Sequence, residues 1–151
     1  MEFDEINSAG NVTRMRFKPA PGYHVPEGSK LVKHKIPFEI QRLLKKEEIE
    51  NSRNLACYAS ISVLGHRWQA DKRSQELLTS AINFAINEVA DPPSTWRSEN
   101  NEDVFVSLQD LKTIGEAMAL QTKNSYSKSW DIKNLINTAS TEEELGNISW
   151  D

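Results

Sequence analysis

The side chains from which a reaction could be built are His24, His34 and His66, the single cysteine Cys57, and the carboxylates Asp103, Asp110 and Asp131. A metal centre needs His, Cys or carboxylate ligands brought together at close spacing. None of the three histidines has such a neighbour, and Cys57 stands alone. A nucleophilic thiol needs an adjacent base. Cys57 instead sits just before an apolar run and reads as a small buried residue. Glycoside hydrolysis on a surface polysaccharide needs two facing carboxylates, one of them poorly solvated. The spacing of Asp103, Asp110 and Asp131 does not pair them. Gly65 and Gly115 are isolated and form no phosphate-binding loop. The sequence therefore predicts no catalytic residue, no metal, no cofactor and no enzyme activity.

Two further groups suggest binding. Lys30, Lys33, Lys35, Arg42, Lys45 and Lys46 make a basic stretch, but Glu47, Glu48 and Glu50 follow at once, so a solvated face is expected. Trp68, Trp96 and Trp130 have apolar neighbours and are expected in the core. The competing reading, a stacking or sugar-binding platform, would need exposed rings. Trp150, next to the last residue, is expected as a docking anchor, since aromatic side chains dominate many interfaces.

Bulk properties narrow the classes. The chain has 151 residues and a net charge of −4, and its mean hydropathy is −0.60. An acidic balance argues against general nucleic-acid binding, which needs a basic face. No apolar run is long enough to span a bilayer. Met1–Gly10 carries Glu2, Asp4 and Glu5 and does not read as a secretory signal. With one cysteine, no internal disulfide forms. These features predict a chain made in a host cytoplasm, with one modest core and poorly buried appendages.

The elements that must position these side chains fall into three stretches. Residues 1–35 read as an extended arm with one short hairpin, bent at Ser8-Ala9-Gly10-Asn11 between Phe3/Ile6 and Val12/Met15/Phe17. Pro19, Pro21 and Pro26 then break the chain too often for a helix, and the arm has too few apolar residues for its own core. Residues 36–54 read as an amphipathic helix from Ile36 to Arg53, with Pro37 at its first position and a stripe of Ile36, Ile40, Leu43 and Leu44. That narrow stripe suits a surface, or pairing with another helix.

Residues 55–151 read as an α+β domain: a small two-hairpin sheet packed against two or three helices. A strand over Tyr58–Leu64 turns at Gly65 into His66–Ala70. Asp71 caps a helix with Leu77, Leu78, Ala81, Ile82, Ala85, Ile86 and Val89 on its apolar side, stopped by Asp91-Pro92-Pro93. A second hairpin joins Thr95-Trp96-Arg97 to Val104-Phe105-Val106. Ser107 and Asp110 form a loose version of the capping box for a long helix that carries Leu108, Leu111, Ile114, Met118 and, after a polar stretch, Tyr126 and Trp130. That helix continues or restarts through Ile132, Leu135, Ile136 and Ala139. Thr141 and Glu144 cap a last short helix, with Leu145 and Ile148 facing inward.

Gly65-His66-Arg67-Trp68, Ala70-Asp71, Ser74 and Leu77 resemble the opening of a phage tail-associated domain family of undescribed molecular function. The later elements are similar too: Trp96-Arg97, Asn100 or Asn101, Phe105-Val106, Leu111 and Ile114, then Ile136, Ala139 and Glu144-Leu145. The resemblance covers about residues 58–148. It implies a structural component of a bacteriophage tail, a fibre or baseplate connector in the virion tail that acts by protein–protein binding. The alternative is a tail-fibre assembly chaperone absent from the mature virion. The implied partners are other tail proteins, with the chain in multiple copies or as a homo-oligomer, and neither nucleic acid nor membrane. Outside the resemblance, the apolar residues of the arm and charged helix, Phe3, Ile6, Met15, Phe17, Tyr23, Ile40 and Leu43, join Trp150 as expected partner-binding side chains.

Overall fold

The computed structural model describes residues 1–151 and is α+β. It divides into two compact units, Met1–Gln41 and Arg42–Asp151, each described on its own below.

The first unit is a three-stranded antiparallel sheet in the order β2 (Val12–Phe17), β1 (Phe3–Asn7), β3 (Ser29–Lys33). The β1–β2 hairpin forms as expected. Asn7 organises its bend: the Asn7 side-chain oxygen accepts from the Ala9 and Asn11 amides at 3.1 and 2.9 Å. Gly10, at φ +83°, supplies the left-handed residue of that turn. The third strand corrects the reading of residues 18–35 as a plain extended arm. Pro26-Glu27-Gly28 forms a turn, with the Ser29 amide donating to the Pro26 carbonyl at 2.9 Å. This returns Ser29–Lys33 alongside β1 in a regular register, Phe3 opposite Lys33 through Asn7 opposite Ser29. The unit has no buried apolar side chain. Its buried residue is Glu5, whose carboxylate accepts from the Thr13 hydroxyl at 2.8 Å and from the Tyr23 hydroxyl. Those hydroxyls, Tyr23 foremost, hold the Glu5 carboxyl below its usual range. Polar tethers thus do what a core does elsewhere.

The second unit is built around Ile61, Trp68, Ala70, Leu78, Leu111, Ile114 and Met118. Its strands form two separate hairpins, β4 (Ile61–Val63) with β5 (His66–Trp68) and β6 (Thr95–Arg97) with β7 (Asp103–Phe105), rather than one two-hairpin sheet. Leu64 and Gly65, at φ +56° and +75°, make the tight turn between β4 and β5. Helix α2 (Lys72–Ile86) starts at the predicted cap, the Ser74 amide donating to Asp71 at 3.0 Å. It ends before the prolines. Glu88 turns left-handed, and the Val89 amide reaches back to the Phe84 carbonyl at 2.9 Å, closing the helix in a Schellman pattern without glycine. Val89 is therefore outside the helix and exposed; Leu77 and Ile86, within it, are exposed too.

Helix α3 (Leu108–Thr138) is continuous, and both predicted capping boxes form, Ser107 with Asp110 and Thr141 with Glu144 ahead of α4 (Glu142–Gly146). Gly115 lies where α2 comes close: a Cβ there would stand 3.4 Å from the Ile82 side chain. Helix α1 (Phe38–Cys57) runs four residues past the predicted end, so Cys57 is its buried last residue. It lies antiparallel to α3. Arg42 donates to the Ala139 carbonyl, Glu50 pairs with Lys133, Arg53 stacks on Tyr126 at 4.6 Å, and Gln121 donates to the Ala59 carbonyl at 2.7 Å. No helix is long and apolar enough to cross a membrane.

Candidate interaction surfaces

The residues with chemical potential are scattered and mostly engaged in structure. His34 Nδ1 contacts the Asp4 carboxylate at 2.9 Å in the first unit, His24 is exposed in the loop before Pro26, and His66 opens β5. Asp103 pairs with Arg97 at 3.1 Å. Asp110 accepts from the Ser107 amide and hydroxyl, which hold its carboxyl below the usual range. Asp131 is exposed on α3.

The β4–β5 hairpin and the loop between β6 and β7 enclose a polar cleft of about 620 Å³. Ser62, His66 and Arg67 line one side, and Ser98, Asn100 and Glu102 the other. Glu99 fixes the loop against β5: its amide donates to the Arg67 carbonyl at 2.8 Å. Its carboxylate meets the Arg67 guanidinium and accepts from the Ser60 hydroxyl. Ser98 closes the loop itself, its amide donating to the Glu102 carbonyl at 2.9 Å. The cleft presents donors and acceptors of both signs, suited to gripping a polar segment rather than an apolar ligand.

The second surface is aromatic and corrects a core assignment. Trp68 is buried, and Trp96 packs at the core margin, as expected. Trp130 is 60% exposed. It meets Tyr126 edge to face, with centroids 6.1 Å apart, and Arg53 lies over the outer Tyr126 ring. The reason is helical phase. The buried line of α3 runs Met118, Ser125, Ser129, Ile132, Ile136, in steps that keep one face. Tyr126 and Trp130 each follow a buried serine by one residue, about 100° round the helix. Leu135 precedes buried Ile136 and is exposed for the same reason. Small side chains occupied the inward positions where apolarity predicted rings.

Other large apolar side chains stand in solvent, notably Phe105 on β7, 86% exposed, and Phe84 on α2. On α1 most of the predicted stripe is exposed: Ile40, Leu43 and Leu44 face solvent, while Ile49 and Cys57 are the buried residues. Of the remaining expected partner-binding residues, Met15 is exposed, and Phe3 and Ile6 are half-buried. Phe17 and Tyr23 are half-buried against each other, with centroids 5.4 Å apart and Arg14 above Phe17. Trp150 is half-buried under the Lys128 ammonium at 4.8 Å, so its ring is partly taken by its own chain. Sequence reasoning missed Trp130, Phe84 and Phe105 as surface groups because apolarity alone does not separate an inward from an outward position.

No curated protein and no solved structure matches the chain. The family described as "Domain of unknown function (DUF4376)" matches residues 40–149. That span takes in almost all of the second unit and leaves Met1–Glu39, with the three-stranded sheet, outside it. The chain belongs to this family of unknown function.

Proposed function

We propose that the chain is a structural component of a bacteriophage tail, a fibre or baseplate connector that works by binding other tail proteins rather than by turnover. The resemblance of residues 58–148 to a phage tail-associated domain supports the setting. The observation that carries the binding role is Trp130, 60% exposed beside Tyr126 and Arg53. Trp130 and Tyr126 place two aromatic rings and an Arg together at one exposed spot, and Trp, Tyr and Arg are the side chains that most often anchor protein interfaces. Exposed Phe84 and Phe105 add to the apolar surface available to neighbours, and repeated copies in a symmetric particle would multiply such contacts.

The test is mass spectrometry of purified particles from the strain that carries this gene, with copy number set against a known tail protein. Presence at a multiple set by the tail's rotational symmetry is the expected result. Absence from particles despite expression in the producing cell would overturn the structural role and favour an assembly chaperone that leaves before maturation.

A further inference from the structure

We propose that the outer edge of β3 takes up an extended acidic strand of another protein, adding a fourth strand to the sheet of Met1–Gln41. The inference rests on the reading of the chain as a protein-binding part, but not on its place in a virion.

The two edges of this sheet differ. Strand β2 is an irregular edge: its register with β1 shifts twice, between Phe3 and Glu5 and between Glu5 and Ile6. Arg16 is left-handed at φ +51°, and its amide is already held by the Asp4 carboxylate at 2.8 Å. Bulges of this kind close an edge to further pairing. Strand β3 has none. Its register with β1 is unbroken over five residue pairs, and it is prolonged by the His34 amide donating to the Glu2 carbonyl at 3.0 Å. In an antiparallel ladder main-chain groups alternate in direction. With His34 bonded inward, Val32 and Lys30 also face β1, and the N–H and C=O groups of Leu31 and Lys33 face outward. A straight row of main-chain donors and acceptors of this sort is what an added strand pairs with.

Charge selects the strand. The Lys and Arg side chains of Met1–Gln41, namely Arg14, Arg16, Lys18, Lys30, Lys33 and Lys35, all lie in or just after the two edge strands. Of the acids in the same unit, Asp4 and Glu5 lie on central β1, where His34 holds the first and Thr13 and Tyr23 hold the second; Glu2 pairs with Arg16, and Glu27 and Glu39 lie outside the strands. Lys30 and Lys33 stand opposite Ile6 and Phe3, not opposite carboxylates. Successive residues of a strand point to opposite faces, so these lysines put positive charge on both faces of the β3 edge. A second copy pairing β3 to β3 would set two lysine-bearing edges side by side with no carboxylate on either strand to offset them, which is unfavourable. A strand with Glu or Asp on both faces meets complementary charge.

The test uses the full chain and a fluorescent Glu/Val peptide of repeating Glu-Glu-Val-Val, which carries Glu on both faces of a strand, read by anisotropy. Saturable binding is expected. A Lys/Val peptide of repeating Lys-Lys-Val-Val, and the Glu/Val peptide with every second amide N-methylated, should each bind at least ~10-fold more weakly. Lys33→Pro removes an outward N–H and leaves the inward ladder intact, and it should weaken binding more than Lys33→Gln, which removes charge alone. Lys30→Glu with Lys33→Glu should turn the preference toward the Lys/Val peptide. Independently of any variant, hydrogen exchange at the Leu31 and Lys33 amides should slow when the Glu/Val peptide is added. Equal binding of acidic and basic peptides, or unchanged exchange at those two amides, overturns the proposal. Because no particle is involved, failure here leaves the virion test of function standing, and the reverse holds too.

Discussion

The Glu99 amide donates to the Arg67 carbonyl at 2.8 Å while the side chains of the same two residues close an ion pair. One residue of the β6–β7 loop is thus joined to one residue of β5 through both main chain and side chain, and Ser60 adds a hydroxyl to the Glu99 carboxylate. The two hairpins share no strand ladder, so this contact does the work of one. Glu99→Ala keeps the main-chain bond and loses the other two. The ion pair is partly exposed, with Arg67 well solvated, and contributes little in water. The expected loss is about 1 kcal/mol, mainly from the half-buried hydrogen bond. Urea denaturation measures it, and an unchanged midpoint would show that the main-chain bond alone sets the loop.

Trp68 carries more. Its ring is buried at the centre of the core, and its indole N–H donates to the Val63 carbonyl at 2.9 Å across the hairpin. Trp68→Ala empties the largest buried side-chain volume of the unit and removes that hydrogen bond. A loss of ~3–5 kcal/mol follows from large-to-small substitution at such a site. Thermal or urea unfolding of the full chain is the check, and a loss below about 1 kcal/mol would mean the hairpin collapses around the gap.

Ser129 predicts a change of opposite sign. Its side chain is fully buried on α3, and its hydroxyl has no hydrogen-bond partner. Ser125, one turn earlier, returns its hydroxyl to the Gln121 carbonyl at 2.8 Å. A buried hydroxyl without a partner costs free energy that alanine does not incur, and alanine is also the better helix former. Ser129→Ala should therefore stabilise the chain by about 1 kcal/mol, while Ser125→Ala should not. The contrast between the two serines, measured by urea denaturation, is the informative quantity.

The same serines show where the sequence was and was not legible. Signals that act over a few residues read correctly: the Asp71 cap, the Ser107–Asp110 and Thr141–Glu144 boxes, the turn at Gly65 and the bend before Val12 each depend on neighbours within one turn of chain. The α+β class followed from them. What failed depended on partners far along the chain. Ser125 and Ser129 face inward, so the rings beside them, Tyr126 and Trp130, turn outward, against the core position expected of Trp130. Lys30-Leu31-Val32-Lys33 does not announce a strand on its own, and pairs only because β1 lies alongside it. The left-handed closure at Glu88 ended α2 before the prolines that were expected to stop it. Among the candidate surfaces, the polar cleft was not legible: Gly65–Trp68 read only as a hairpin and a family motif, and the facing wall from residues 98–102 needed the fold.

Acid should weaken the helix starts. The Ser74 hydroxyl and amide hold the Asp71 carboxyl below the usual range, and the Ser107 amide and hydroxyl do so for Asp110. A carboxyl with a depressed folded-state pKa contributes stability above its unfolded value, ~3.9 for Asp. That stability is lost as pH falls through the lower folded-state value. Stability should therefore fall with pH from about 5 downward. Asp71→Asn and Asp110→Asn should each flatten that slope, because an amide at either position does not titrate. Denaturation midpoints between neutral and acid pH test this, and an identical slope in the double variant would place the acid sensitivity in other carboxylates, such as Glu5 beneath Tyr23.

Trp130 separates a role in binding from a role in folding. The ring projects from α3 and meets its own chain chiefly along one edge of Tyr126. Trp130→Ala removes exposed surface and a partial aromatic contact, so the folding free energy should change by no more than ~0.5 kcal/mol, as for other exposed sites. Incorporation into particles, or recovery with a tail partner after gentle cross-linking, should fall at least ~10-fold if the ring is an interface anchor. Tyr126→Ala should act in the same direction, since it removes the support for the indole and the stacking surface for Arg53. Full incorporation of a stable Trp130→Ala chain would show that this face is not the one that binds, and would move attention to Phe105 and to the exposed α1 stripe of Ile40, Leu43 and Leu44.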